Sequence, residues 1–170
     1  MTSQPILDSI EILDTRPLSD LLSEVTVKVC TVSELPNRND TVITREVGKD
    51  IAATLPGAPI VGYYTQGDFQ DHGEQVIWSG RGLETKVLTK PYGFVSLDNP
   101  WYQDFLEDGV TRTYLMCNAY LWTRQFEEAK QVPGKGQSME LDDFDMDGYW
   151  EGNKFIFTHA VTSKLCILGD

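Results

Sequence analysis

The sequence predicts a mainly β (α+β) fold, a barrel or sandwich with a few surrounding helices. Three observations carry this expectation. Short segments of alternating polarity, rich in β-branched residues, recur along the chain. One of them, Thr111–Thr123, is apolar on both faces and so belongs at the centre of a sheet. Helical spacing is confined to two segments. A chain of 170 residues is one domain's length, enough to bury its own core, and no repeat, linker or low-complexity stretch divides it.

Taken in order, Ser9–Leu13 and Glu24–Val32 alternate as half-buried strands do. Thr44–Leu55 reads as a helix: Val47, Ile51 and Leu55 recur one turn apart, and Pro56-Gly57 closes it. Pro59–Tyr64 is a short apolar strand, followed by a polar loop, Thr65–Glu74. Gln75–Ser79 and Gly82–Leu88 are further strands, whereas the aromatic-rich Pro91–Phe105 is ambiguous. Within Thr111–Thr123, Tyr114, Met116, Tyr120 and Trp122 share one face, and Leu115, Cys117, Ala119 and Leu121 the other. Arg124–Gln131 reads as a short helix stopping before Pro133-Gly134. Gln137–Leu141, Lys154–Val161 and Lys164–Leu168 complete the strands. The aromatics Tyr92, Phe94, Trp101 and Tyr102 are expected in the core rather than along a ligand groove.

Charge removes whole classes of function. Twenty-six acidic against fourteen basic side chains give a formal charge of −12. That balance opposes nucleic-acid phosphates and anionic membrane surfaces, so neither is an expected partner. No apolar run approaches the roughly 18–20 residues of a membrane span, and the first residues lack the basic start and apolar stretch of a secretory signal. Cys30, Cys117 and Cys166 are far apart and form no CxxC pair, which reads as reduced, buried thiols of a cytoplasmic protein. With His72 and His159 the only histidines, the spacing predicts no metal site and no cofactor. Asp143, Asp145, Asp147 and Gly148 open like a calcium loop, but Lys154 stands where the bidentate glutamate is needed. A solvated acidic hairpin is the expectation there.

Three residues stand out as chemistry. Ser138 enters a strand after the flexible Pro133-Gly134-Lys135-Gly136, and alternation puts it with Glu140 on the face opposite Met139 and Leu141. His159 lies on the same strand face as Phe155, Phe157 and Val161, where an imidazole needs a hydrogen-bond partner. His72 sits in a loop among carboxylates. A serine becomes nucleophilic only beside a base, imidazole suits that role near neutral pH, and a third group must orient the base. The position of Ser138 relative to His159 depends on the hairpin turn. A turn at Asp147-Gly148 makes them diagonal neighbours, and one at Gly152-Asn153 sends Ser138 toward the end of the last strand. The sequence leaves both open.

The order histidine, serine, histidine at 72, 138 and 159 resembles the herpesvirus assemblin proteases, β-barrel serine proteases with a His-Ser-His triad. Phe157–Val161 with Leu165-Cys166 is similar to the neighbourhood of their second histidine. More closely, the chain resembles tailed-phage prohead (capsid) maturation proteases of that fold. The carrying pieces are Pro59–Tyr63, Asp68-Phe69 with Asp71–Gly73, Tyr120–Thr123, Gln137–Glu140 and Leu165–Asp170, spread in order over about two-thirds of the chain. The resemblance implies a herpesvirus-protease-like β-barrel and a serine endopeptidase cutting scaffold and capsid protein segments, and itself, in host cytoplasm inside assembling proheads. Ser138 would be the nucleophile, His72 the general base and His159 its support, with Glu140 the alternative third member. A weak homodimer is expected, as is a longer protease/scaffold chain of which residues 1–170 form the N-terminal part. Assemblins place arginines after the second histidine, whereas no arginine follows Arg124 here. The oxyanion donors are left to backbone N–H groups, Lys164 or a water. The alternative function is a non-catalytic, scaffold-associated phage protein with the same fold.

Overall fold

The computed structural model describes residues 11–170, so Ser9 and Ile10 of the first expected strand lie outside it. The chain is mainly β, 59% strand with one α-helix. In order run β1 (Ile12–Pro17), β2 (Ser23–Thr31), β3 (Thr41–Val42), α1 (Arg45–Thr54), β4 (Pro59–Thr65), β5 (Asp68–Gln70) and β6 (Glu74–Ser79). There follow β7 (Gly82–Val87), β8 (Lys90–Val95), β9 (Trp101–Glu107), β10 (Val110–Leu121), a 3₁₀ turn (Glu127–Gln131), β11 (Gln137–Glu151) and β12 (Lys154–Ile167).

One sheet runs β1-β2-β10-β8-β4-β12-β11, with β3 on β12, β5 on β4 and β9 on β10. The path does not close into a barrel. Its outer ends meet at the isolated bridge Glu11–Gly136, backed by Ile12 N–H to the Lys135 carbonyl and Gly134 N–H to that of Ile12. The expected barrel is therefore a curled sheet with an open seam. β10 lies inside it between β2 and β8, and Tyr114, Leu115, Met116, Cys117, Ala119 and Leu121 are buried from both faces. Gly93 is required on β8, because a Cβ there would collide with the Tyr120 carbonyl.

α1 forms as its spacing predicts, capped by the Thr44 hydroxyl, which accepts from Val47 N–H. It packs on β12 through buried Val47 and Ile51, and the Thr162 hydroxyl donates to the Ile51 carbonyl. Pro91–Phe105 resolves into β8 and part of β9, and the expected Arg124–Gln131 helix shrinks to the 3₁₀ turn. Lys154–Val161 and Lys164–Leu168 join as the single strand β12. The hairpin turns at Gly152-Asn153, pairing Glu151 with Lys154 and Ser138 with Cys166. Between the pairs Leu141–Thr162 and Met146–Ala160, residues 142–145 bulge outward. β6 and β7 form a separate two-stranded sheet with Val76, Trp78, Leu83 and Val87 exposed.

Candidate functional site

The β11–β12 register builds one patch. Ser138 faces Cys166, and Glu140 faces Lys164, so these four residues share a face of the ladder. Met139 and Leu141 pack against the core on the opposite face, as alternation predicts. The short strand β5 pairs with β4 and delivers the loop at Asp71–Gly73 over this patch. Asp68 anchors that delivery: its carboxylate accepts from Lys135 Nζ at 2.8 Å and from the Phe69 N–H. The Lys135 ammonium, then the Phe69 N–H, hold the Asp68 carboxyl below its ordinary pKa.

His72 and Gly73 both adopt positive φ, 40° and 58°. At Gly73 the glycine is needed twice over, because an added Cβ would also lie 2.6 Å from Tyr63 Cβ. The turn aims the imidazole at Glu140: His72 Nδ1 lies 3.2 Å from Glu140 Oε1. Lys164 Nζ holds the other oxygen, Oε2, at 3.1 Å. His72 is half exposed, whereas Glu140 is mostly covered. Beneath them Cys166 is fully buried. Burial pushes its thiol pKa up to about 11, against the pull of the nearby His72 backbone N–H and Lys164. His72 and Ser138 line one cavity of about 290 Å³ together with Met139 and Phe157.

His159 stands elsewhere. Its Nδ1 lies 2.9 Å from Asp50 Oδ2 on α1, and its Nε2 2.9 Å from Asp145 Oδ1 in the bulge. Hydrogen bonds to Asp50, then Asp145, raise its pKa. It stands seven positions before Cys166, roughly 23 Å along a strand. The three sequence-selected residues thus divide: His72 and Ser138 meet at one cavity with Glu140, and His159 joins two carboxylates on another part of β12.

The chemistry of the patch follows from valence. A carboxylate at Nδ1 fixes that nitrogen as the protonated one and leaves Nε2 with its lone pair. Among the described residues, no hydrogen bond joins Ser138 Oγ to the ring. Lys164, a sequence candidate for oxyanion support, is committed to Glu140. Sequence reasoning passed over Asp50, the pairing of Asp145 with His159, and the nearness of Cys166. Counting back from the turn alone would set Ser138 opposite Ile167 and Glu140 opposite Leu165; the register shifts at Asp147/Gly148, Leu141/Met146 and Glu140/Leu141 bring Cys166 and Lys164 opposite them instead.

No curated protein and no solved structure matches the chain. A match to the YonD N-terminal domain, a phage-associated domain, spans residues 22–170 and covers the curled sheet from β2 onward, with the Ser138–His72–Glu140 patch. On that span the chain belongs to the family of YonD N-terminal domains.

Proposed function

We propose that this domain is a serine endopeptidase of phage head assembly, in which Ser138 attacks the scissile carbonyl and His72 takes its proton. The observation that carries the reading is the 3.2 Å contact of His72 Nδ1 with Glu140 Oε1, made beside the cavity that Ser138 lines. Glu140 takes the third role that the family resemblance offered first to His159. It holds the Nδ1–H tautomer and stabilises the imidazolium formed as Ser138 is acylated. His72 then protonates the leaving amine, and water hydrolyses the acyl-enzyme by the reverse proton path. In this reading the substrates are scaffold and capsid protein segments, and the chain itself, inside assembling proheads. The curled sheet is then an opened relative of the assemblin barrel.

The test is intact mass after treatment with a fluorophosphonate probe. One adduct on the wild-type chain, absent from Ser138→Ala and His72→Ala, supports an activated serine. No adduct on the wild-type chain, or one surviving Ser138→Ala, overturns it. The second reading is a non-catalytic, scaffold-associated phage protein. It is favoured by the missing Ser138–His72 hydrogen bond, and an unlabelled wild-type chain is its expected result.

A further inference from the structure

The patch holds three different metal-ligating atoms. A His72 ring nitrogen, a Glu140 carboxylate oxygen and Cys166 Sγ all lie within 4.8 Å of one another. They come from the β5–β6 loop, β11 and β12, so the tertiary fold rather than a sequence spacing assembles them. Nitrogen, oxygen and sulfur together are the donor set of Zn²⁺, with Zn–N and Zn–S bonds of about 2.0–2.3 Å. Tetrahedral bonds of that length set ligand atoms roughly 3.5 Å apart. His72 Nδ1 and Glu140 Oε1 are already at 3.2 Å, and Cys166 Sγ lies within 4.8 Å of the Glu140 carboxylate and of a His72 ring nitrogen.

We infer that His72, Glu140 and Cys166 form a Zn²⁺ site whose occupation switches off His72 as a base. Zn²⁺ takes the Nδ1 lone pair, so the single proton of the neutral imidazole resides on Nε2. The nitrogen that would accept the Ser138 proton then has no free lone pair. The Cys166 thiol proton leaves to solvent as the Zn–S bond forms, since a coordinating thiol is deprotonated outright. Site charge balances: Zn²⁺ with one carboxylate and one thiolate is neutral. Lys164 remains on Glu140 Oε2, which leaves Oε1 for the ion. The fourth position is open to solvent on the exposed side of His72. The switching half of the inference rests on the serine-hydrolase reading, and the binding half does not.

The experiment loads the metal-free chain with Co²⁺ and reads the thiolate-to-cobalt charge-transfer absorption, then competes Zn²⁺ against a chromophoric chelator. One equivalent binds, with the charge-transfer band present in wild type and in Cys30→Ser. The band disappears in Cys166→Ser, and His72→Ala weakens Zn²⁺ binding by at least about 10- to 100-fold, the loss that even an outer partner of a metal ligand produces. Because Cys166 is buried, its variant is capable of misfolding, and the half-exposed His72→Ala provides the independent reading. No band in wild type, or binding unchanged by His72→Ala, overturns the site. Fluorophosphonate labelling of the same samples separates the two ideas. Labelling without the band sinks the metal site and keeps the hydrolase, while the band without labelling of the metal-free chain does the reverse. Labelling of the metal-free chain that Zn²⁺ leaves undiminished overturns the switch.

Discussion

His72 Nδ1 lies 3.2 Å from Glu140 Oε1, a contact across 68 positions of sequence that the β5–β6 loop and the β11–β12 ladder create together. Both oxygens of Glu140 are used, the second by Lys164 at 3.1 Å. The imidazole is therefore tethered by a carboxylate that is itself fixed, which sets the ring's orientation as well as its tautomer.

The first prediction concerns that tether. Glu140→Gln retains size but loses the charge, and Ser138 labelling slows by roughly 10²- to 10⁴-fold, the range of general-base assistance. His159→Gln leaves labelling unchanged, because its imidazole is committed to Asp50 and Asp145. Equal slowing by the two variants would restore His159 as the third member.

His159 instead shapes stability against pH. Its folded-state pKa is raised by hydrogen bonds to Asp50 and then Asp145. The protonated ring is thus favoured in the folded chain, and its contribution is complete below the ordinary histidine value of about 6.5. It fades as pH rises through the raised value. Thermal melts from pH 5 to 9 are expected to show the wild-type advantage over His159→Gln largest at the acidic end. A gap that widens with pH contradicts the assignment.

Lys28 supplies a prediction far from the patch. Its ammonium is buried, 2.7 Å from Glu107 and 3.1 Å from Glu11, and lies 4.2 Å from the Phe105 ring centre. Burial pushes the Glu107 carboxyl up, but hydrogen bonds from Lys28 and Tyr114 outweigh it and leave the pKa lowered. Lys28→Met strands that carboxylate and costs about 3 kcal/mol, the low end for a broken buried pair because Arg112 remains near Glu107. Adding Glu107→Leu is expected to recover part of the loss in urea unfolding. A double variant as unstable as the sum of the singles would show that the pair is not coupled.

Gly73→Ala tests whether the turn positions the base. The φ of 58° and the 2.6 Å approach to Tyr63 Cβ leave no room for a methyl group. Displacing this turn is expected to abolish Ser138 labelling while amide-exchange protection in β2 and β10 persists. Labelling at the wild-type rate would show that His72 does not need this geometry.

Alternation alone determined that the chain is mainly β, that β10 is central, and that Ser138 and Glu140 share a face away from Met139 and Leu141. The α1 helix was equally legible from Val47, Ile51 and Leu55. These features depend on side-chain period, which is local. Tertiary structure decided the remainder. Two turns in the acidic hairpin were compatible with its residues, and pairing with β4 and β3 along β12 selects Gly152-Asn153. That choice separates His159 from Ser138, and the register shifts of the ladder set Cys166 opposite it. Closure of the sheet was not readable either, since it depends on how far twist and bulges carry β1 toward β11. Glu140 as the partner of His72 needed the loop after β5 to cross the ladder. Contacts between residues distant in sequence follow from register and strand order, and neither is written in the period of a single strand.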